Sequence, residues 1–454
     1  MAHRTGSNSK HLKRANSGHA EPAAKAEQAG PFRFRDALKA LGPGLITGAS
    51  DDDPSGIGTY SQAGAQLGYG IGWTMLLTFP LMAAIQEISA RVGRVTGHGI
   101  AGNVCRHYSS WLLNVVVPLL FIANTINIGA DLGAMADAAK LLIGGHSIIY
   151  VLLFGVTSVA AQIFLDYRRY VAVLKWLTLS LFAYVAALAF AKVSWGDALA
   201  GILVPRLDWS FDYLTTIVAI LGTTISPYLF FWQASQEAED QRVDATKRPL
   251  IEKHYGARRE FSRIRADTIV GMAFSNLIAL SIIVTAAATL HATGKTDIKS
   301  SAEAAEALRP IAGAFAEAIF ALGIIGTGLL AIPVLAGATA YAVGEGRRWP
   351  VGLARKPKEA AAFYAVLALS AGIGIALNFT PINPISALYW SAVINGVLAV
   401  PVMVLLMFMA RRRDVMGTFV VKGGPLYWLG WLSTVAMLLS VFAMGVGFFV
   451  GGNS

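Results

Sequence analysis

The chain of 454 residues is 55% hydrophobic and only 14% charged, whereas soluble domains average about 25% charged residues. Nearly uncharged stretches of about 20 residues recur along it, and each can cross the roughly 30 Å hydrocarbon layer as a helix, which excludes an ordinary soluble protein. The net charge of +10 needs no nucleic acid partner, because basic residues collect in the cytoplasmic loops of membrane proteins. The single cysteine, Cys105, excludes an intramolecular disulfide, an iron–sulfur cluster and a cysteine-rich zinc site.

The apolar pattern predicts an all-α polytopic membrane protein in two parts. Residues 1–40 are polar, basic and rich in Ala and Ser, which indicates a disordered cytoplasmic tail. Residues 41–454 form the predicted transmembrane domain. Its eleven helices are predicted near 43–66, 71–95, 112–142, 148–165, 171–193, 213–236, 266–291, 310–344, 360–378, 385–410 and 426–450.

The distribution of basic residues predicts the orientation. If the N-terminus is cytoplasmic, the inside segments hold 30 Lys and Arg residues and the outside loops hold 6. This asymmetry favours a cytoplasmic N-terminus and, after eleven helices, an outside C-terminus. We therefore expect a multi-pass protein of the cell (inner) membrane that contacts the lipid bilayer and works as a monomer.

Two of the predicted helices contain an interior proline, Pro54 in the first and Pro227 in the sixth. Each proline removes a backbone donor, so each helix should unwind there. The prolines fall in the first helix of two successive five-helix sets, roughly 41–193 and 213–410, and the helix near 426–450 is left over. This is the pattern of inverted-repeat transporters, whose sites lie between two discontinuous helices. The halves are too dissimilar in sequence to prove the repeat, so the pairing rests on position.

Three consecutive acids, Asp51, Asp52 and Asp53, lie inside the first predicted helix. A carboxylate near the bilayer centre costs a few kcal/mol and must be compensated. Asp53 suits an N-cap before Pro54, but capping explains one acid and not three. We predict Asp53 as a cation ligand, and Asp51 and Asp52 either as part of the ion path or as groups facing an aqueous vestibule.

The sixth predicted helix offers oxygen atoms at its own break, namely the Thr223 carbonyl and the hydroxyls of Thr223, Thr224 and Ser226. Ser and Thr in membrane helices commonly bond back to their own backbone. Only the position of these residues at Pro227 points to a cation site.

Asp131 is another acid inside a predicted helix, and Asn395 in the tenth could face the same site. Buried membrane carboxylates mark ion paths or proton relays, or they pair with a cation. The acids nearer the helix ends have plainer interpretations. Glu87 precedes Arg91 by four residues, the spacing of a helix ion pair, and Glu237, Glu239 and Asp240 are predicted to form a solvated helix end rather than an inner vestibule.

These motifs resemble the Nramp family of divalent-metal transporters. The residues that carry the resemblance are Gly42-Pro43-Gly44, Asp53-Pro54-Ser55-Gly56, Thr59, Gln62-Ala63-Gly64-Ala65, Ala90-Arg91 and Thr96-Gly97. The resemblance implies a LeuT-like fold with two inverted five-helix repeats plus an eleventh helix. It also implies a metal site between the broken first and sixth helices, at Asp53, Gly56, Thr223 and Ser226.

The chain departs from the family pattern at positions that bear on the metal site and on proton movement. Gly56 replaces an asparagine, and Ser226 replaces a methionine whose soft thioether favours transition metals. Tyr228 and Gln233 stand where the family has histidines of the sixth helix, and Ala134 stands where the third helix has a glutamate associated with proton movement. These changes resemble the magnesium-transporting branch related to Nramp. They imply uptake of Mg²⁺ and Mn²⁺ by alternating access with weak or no proton coupling.

Three alternatives stay open beside this hypothesis. The first is a proton-coupled Mn²⁺ or Fe²⁺ symporter of the ordinary family type, in which Asp131 still relays protons. The second is a transporter of organic solutes on the same fold, which the three acids disfavour because they repel a carboxylate. The third is an intramembrane enzyme using Asp53 and Asp131, for which the sequence offers no nucleophile or cofactor motif. We expect no enzyme activity and no cofactor, the divalent metal ion being the substrate.

Overall fold

The structure, a computed structural model, describes residues 43–164, 182–244, 247–254, 256–308 and 313–451, and these are almost entirely helical. The longer helices, in chain order, are α1 (Pro43–Asp51), α2 (Pro54–Leu67), α3 (Trp73–Thr96), α4 (Ile100–His107), α5 (Ser110–Ile143), α6 (Ser147–Phe164), α7 (Phe182–Phe190), α8 (Trp195–Leu203), α9 (Phe211–Thr224), α10 (Pro227–Val243), α11 (Ala257–Thr289), α12 (Ser301–Ala305), α13 (Ala316–Gly346), α14 (Ala361–Leu377), α15 (Pro384–Arg411), α16 (Arg413–Met416) and α17 (Gly424–Gly451). Short 3₁₀ turns, such as Gly68–Ile71, join some of them.

Eight helices of the described chain are long and apolar enough to cross a membrane, counting α9 and α10 as one. The first predicted helix is present as the two short pieces α1 and α2, and the ninth as α14 with 17 residues. Residues 171–181 of the fifth predicted helix, near 171–193, and the whole predicted tail, 1–40, lie outside the described residues, and α7 (Phe182–Phe190) falls in the described part of that predicted helix. The protein is therefore a multi-pass membrane protein, as the composition predicts.

Helices α1 and α11 run side by side in the same direction, and glycines allow their backbones to touch. The backbone N–H of Gly44 donates to Asp267 Oδ2 at 2.8 Å. One turn later, a Cβ added to Gly48 would lie 2.3 Å from the carbonyl oxygen of Gly271. No larger residue fits at Gly48 unless the helices separate. Small residues bring membrane helices together in this way, because lipid supplies no hydrophobic force between them.

A close glycine contact of the same kind holds α9 against α15. A Cβ at Gly222 would lie 2.0 Å from the carbonyl oxygen of Ala392 and 2.5 Å from the nitrogen of Gly396. Both broken helices, α1–α2 and α9–α10, are thus fixed by backbone contact with an unbroken neighbour. The breaks themselves lie in the buried centre of the bundle, where Asp53 and Ser226 are each 1% exposed.

We expect Gly48→Ala to lower the thermal stability of the purified protein strongly or to prevent folding, because the new methyl group collides with the Gly271 carbonyl. Gly372→Ala in α14 is the matched control, since a Cβ there meets nothing within 4 Å and alanine favours a helix by about 1 kcal/mol. The measurement is the unfolding midpoint of each variant in detergent. Equal midpoints for the two variants would contradict the close packing.

Candidate metal site

The break between α1 and α2 is organised by the carboxylate of Asp53. This residue is the N-cap of α2, with Pro54 at the first helical position, as the sequence predicts. Asp53 Oδ1 accepts from the backbone N–H of Gly56 at 2.7 Å and from the hydroxyl of Ser55 at 2.7 Å. The unpaired N–H groups and the dipole at a helix N-terminus both stabilise an anion. The carboxylate is therefore held by the helix that it begins.

The break between α9 and α10 ends at Ser226, the residue before Pro227. The Ser226 hydroxyl lies 2.5 Å from the carbonyl oxygen of Gly222 and 3.0 Å from that of Thr223. It therefore satisfies carbonyls that the end of α9 leaves without a helical partner. The Thr224 hydroxyl bonds back to the Ile220 carbonyl at 2.9 Å, which is the common behaviour in membrane helices. The Thr224 hydroxyl is thus used in a hydrogen bond within its own helix.

Tyr228 joins the two breaks. Its hydroxyl donates to the carbonyl of Ser50, near the end of α1, at 3.0 Å and lies 3.5 Å from Asp53 Oδ2. Gly56 faces Thr223 directly, because a Cβ at Gly56 would lie 3.3 Å from the Thr223 hydroxyl and 3.0 Å from the Asp51 carbonyl. The structure thus brings the start of α2, the end of α9 and the first turn of α10 to one place.

Helix α5 adds a polar group that the sequence reasoning missed. Asn127 Nδ2 donates to Asp53 Oδ2 at 3.0 Å and lies 3.4 Å from Asp131 Oδ2, so the amide links the two acids. Its own Oδ1 is buried without a hydrogen-bond partner. Asn127 precedes Asp131 by four residues, which places both on one helix face. That spacing is the signal in the sequence that could have identified it.

Asp51 and Asp52 point away from this group toward α11. Both approach the hydroxyl of Ser275, Asp51 Oδ2 at 2.5 Å and Asp52 Oδ1 at 3.3 Å. They are 1% and 0% exposed, so the interpretation in which they face an aqueous vestibule is wrong for this conformation. Ser275 lies more than 200 positions along the chain, and nothing in the local sequence identifies it.

Two other predicted site residues lie outside the hydrogen-bond network of Asp53. The Gln233 amide oxygen and the Thr47 hydroxyl form a hydrogen bond between α10 and α1. Asn395 in α15 is 1% exposed, and neither of its amide atoms has a hydrogen-bond partner. Neither residue forms a hydrogen bond with Asp53.

The group around Asp53 can hold a cation through oxygen atoms from several helices. Asp53, Asp131, Thr223, Ser226 and Tyr228 are all at most 2% exposed, so the group is closed to solvent. Among the described residues, no three His, Cys, Asp or Glu residues lie close enough to form a metal cluster. An ion between the two breaks would depend on the carboxylate of Asp53 and on neutral oxygens, because Asp131 is linked to Asp53 only through the Asn127 amide. This donor set suits hard cations.

A cavity of about 400 Å³ opens at the end of the bundle where α2 ends and α9 begins. Among its lining residues are Gly58, Gln62, Asp212, Asp297 and Tyr389. Gly58 lies about one and a half helical turns from Asp53. At Gly58 the fully buried Leu388 packs closely, since a Cβ added to the glycine would lie 3.1 Å from Leu388 Cδ1.

The opposite end of α10 is closed by buried carboxylates, and here the sequence prediction of a solvated helix end is wrong. Glu237 and Glu239 are 1% and 6% exposed. Arg263 Nη2 of α11 lies 2.6 Å from Glu237 Oε2. Glu239 accepts from the backbone N–H of Ala354 at 2.7 Å and from the hydroxyl of Tyr341. Tertiary partners from distant segments thus cover a helix end that looks exposed in sequence.

Residues 44–446 match the family model described as "Natural resistance-associated macrophage protein-like". The chain belongs to the Nramp family. A divalent metal cation transporter, MntH, of Acidiphilium cryptum is 27% identical over 438 residues, which cover 92% of this chain and 94% of that protein. A transporter of the same name from Granulibacter bethesdensis is 27% identical over 398 residues, covering 85% of this chain and 84% of its own length.

Solved structures confirm the predicted LeuT-like fold. The Eremococcus coleocola manganese transporter, solved with an aromatic bis-isothiourea compound, aligns with a TM-score of 0.67 at 16% identity over 96% of this chain and 90% of its own. MhsT in complex with L-phenylalanine, a LeuT-fold transporter, aligns with a TM-score of 0.56 at 12% identity over 89% of this chain and 97% of its own. At such identities these neighbours bear on the fold alone.

We expect Asp53→Asn to fold normally and to lose metal binding. Asparagine caps a helix about as well as aspartate, so the hydrogen bonds to Gly56 and Ser55 survive while the charge is lost. Asp53→Ala loses the cap as well and should cost about 1 kcal/mol more in stability. The measurement is the unfolding midpoint of each variant with and without added Mg²⁺ or Mn²⁺. A metal-induced rise in the midpoint of Asp53→Asn equal to that of the wild type would exclude Asp53 as a ligand.

Proposed function

We propose that this protein transports divalent metal cations into the cell, most readily Mg²⁺ and Mn²⁺, by alternating access with weak or no proton coupling. Divalent metal transport is supported by the family match and by the relatives named as divalent metal cation transporters. The preference for Mg²⁺ and Mn²⁺ and the weak proton coupling are our inference from the residues around Asp53. It places the chain nearest the magnesium-transporting branch that its motifs resemble.

The observation that carries the proposal is the composition of the group around the two helix breaks. It offers one carboxylate, from Asp53, together with the Thr223 carbonyl and the hydroxyls of Thr223 and Ser226. Mg²⁺ gives up its water reluctantly and is usually bound through one or two carboxylates plus retained water. Ser226 is smaller than the methionine of the family pattern, so it would displace less of that water.

The replacement of the methionine by Ser226 favours hard cations over soft ones. A thioether selects soft transition metals, whereas a hydroxyl or carbonyl suits Mg²⁺ and Mn²⁺. The Ser226 hydroxyl hydrogen is directed to the carbonyls of Gly222 and Thr223, so its oxygen lone pairs remain available to a cation. Manganese is the metal in the name of the Eremococcus coleocola structure, and an oxygen site accepts both ions.

Weak proton coupling is supported by the residues at the positions that the family pattern associates with proton movement. Ala134 replaces the glutamate of the family pattern, and Asp131 is bound to Asn127 instead of to a histidine or a chain of titratable groups. A co-ion is not required energetically. A divalent ion that enters a negative interior gains about 4.6 kcal/mol per 100 mV.

The closed arrangement suits an intermediate of alternating access. In the orientation that the basic residues predict, the cavity beside Gly58 and Leu388 faces the outside, and the carboxylate contacts of Glu237 and Glu239 lie on the cytoplasmic side. The outer closure consists of close apolar packing near Leu388, while the inner one depends on an ion pair and hydrogen bonds. We propose that these contacts separate in turn as the ion crosses.

We expect Ser226→Met to raise the affinity for Cd²⁺ by tenfold or more relative to Mg²⁺, because the thioether is a soft ligand. Ser226→Ala is the control, since it removes the hydroxyl without adding sulfur. Binding is measured by competition among Mg²⁺, Mn²⁺ and Cd²⁺ on folded protein. A companion Gly56→Asn change is less suitable, because its Cβ would lie 3.0 Å from the Asp51 carbonyl. Unchanged selectivity in Ser226→Met would mean that this position does not touch the ion.

The direct test is uptake into proteoliposomes that contain the purified protein, an inside-negative potential and a trapped pH dye. We expect Mg²⁺ and Mn²⁺ to enter without acidification and Asp53→Asn to abolish both fluxes. Uptake of Mn²⁺ with acidification and without Mg²⁺ would instead identify a proton-coupled symporter of the ordinary family type. Robust Mg²⁺-dependent proton entry would refute the uncoupled mechanism while leaving metal transport intact.

A further inference from the structure

A groove of about 570 Å³ lies far from the metal site, between α3, α11 and the segment that leads into α17. We call it the basic groove and define it by Ala83, Glu87, Arg91, Arg265, Lys422 and Leu426. Its size falls within the range of small-molecule sites. We propose that the basic groove binds the headgroup and upper acyl chains of an anionic phospholipid.

The charges of the basic groove do not cancel. Glu87 Oε1 lies 2.5 Å from Arg91 Nη2 and 3.2 Å from Arg265 Nε, so one acid faces two guanidinium groups. Lys422 supplies a third positive charge on the same lining. Three bases against one acid leave a net charge of +2 along the lining, which favours an anionic occupant.

The basic side chains are positioned and partly free to bind. Arg91 is fixed by Glu87 and by the ring of Phe261, whose centroid lies 4.7 Å from the guanidinium carbon. Arg265 uses its Nε for Glu87, while its side chain is 56% exposed. The outer nitrogens of Arg265 are thus directed to the surroundings, where a phosphate could accept from them.

The rest of the lining of the basic groove is largely apolar, and exposed apolar side chains lie beside it. Ala83 and Leu426 form part of its wall, Ile269 beside them is 42% exposed, and the nearby Trp428 is 67% exposed. Apolar surface of this kind suits acyl chains, and an exposed tryptophan is typical of the membrane interface. A soluble anion would use the charges and leave this wall uncovered, so the lining favours a lipid.

The position of the basic groove along the membrane normal also matches that of a lipid headgroup. Helix α11 has 33 residues and is about 50 Å long, well beyond the roughly 30 Å hydrocarbon layer. The charged residues of α11 lie in its first turns, from Arg258 to Asp267, so this end is the one expected to project past the hydrocarbon, which places Arg265 near the boundary. Helix α17 begins at Gly424 beside Lys422 at the same end. In the predicted orientation this end is cytoplasmic, where anionic lipid gives the inner surface its negative potential.

The test is native mass spectrometry of the full-length protein in detergent with phosphatidylglycerol or phosphatidylcholine of identical acyl chains. We expect phosphatidylglycerol to be retained at least tenfold more strongly by the wild type. Arg265→Ala with Lys422→Ala should weaken its retention about 30-fold, equivalent to about 1 kcal/mol for each basic side chain. The matched control is Arg258→Ala with Arg259→Ala, which removes the same charge from exposed positions of α11 outside the groove.

Ala83→Phe provides a second variant that keeps every charge and fills the apolar wall. It should weaken phosphatidylglycerol binding while leaving metal-dependent stabilisation unchanged. Soluble glycerol 3-phosphate distinguishes a lipid from a free anion. Equal retention of the two lipids by the wild type, an equal loss in the control, or glycerol 3-phosphate binding as tight as that of the lipid would each overturn the proposal.

Discussion

The carboxylate of Asp53 at the start of α2 is the interaction around which the centre of the molecule is arranged. A charge this deeply buried is tolerated only if protein dipoles replace the water that it has lost. The N-terminus of α2 supplies those dipoles through Gly56 and Ser55. Asn127 and Tyr228 reach the other oxygen from α5 and α10. A helix N-terminus can lie at this depth only because the first helix is interrupted, so the interruption is a condition for the buried charge.

Interrupting a membrane helix leaves two pieces that are unstable alone. Helix α1 has 9 residues and α2 has 14, lengths at which isolated helices are marginal at best. Contact with α11 compensates, since Gly48 meets the Gly271 backbone and a Cβ at Gly64 would lie 2.4 Å from the carbonyl oxygen of Ile283. The pieces are therefore supported along their length by one unbroken helix. That support keeps the carbonyls of the break in place without a continuous hydrogen-bond ladder.

Local sequence predicted the features that depend on local chemistry. Pro54 and Pro227 identified both breaks, and the order Asp53 then Pro54 identified the cap of α2. The LeuT-like fold followed from the family resemblance, and the structural neighbours confirm it. These predictions succeed because a proline or an N-cap acts within one helical turn.

Features that depend on contacts between residues far apart in the chain could not be predicted from local sequence. The sequence places Glu237 at a solvated helix end, but in the structure Arg263 forms an ion pair with it. The sequence also allows Asp52 to face an aqueous vestibule, but in the structure it approaches Ser275 of α11. Hydropathy predicts that a segment is helical and apolar, but it does not give the rotation of a helix about its axis. That rotation decides which of three adjacent aspartates faces the break.

The different surroundings of those three aspartates bear on how an ion could be bound and still be released. Three carboxylates around one ion would bind it tightly and hold it, whereas conduction requires binding that is weak enough to reverse. Asp51 and Asp52 both approach Ser275 of α11, while Asp53, the N-cap of α2, faces Asn127. An ion beside Asp53 would then meet one full negative charge and several neutral oxygens. Such a balance would let a strongly hydrated ion keep part of its water and leave when either closed end opens.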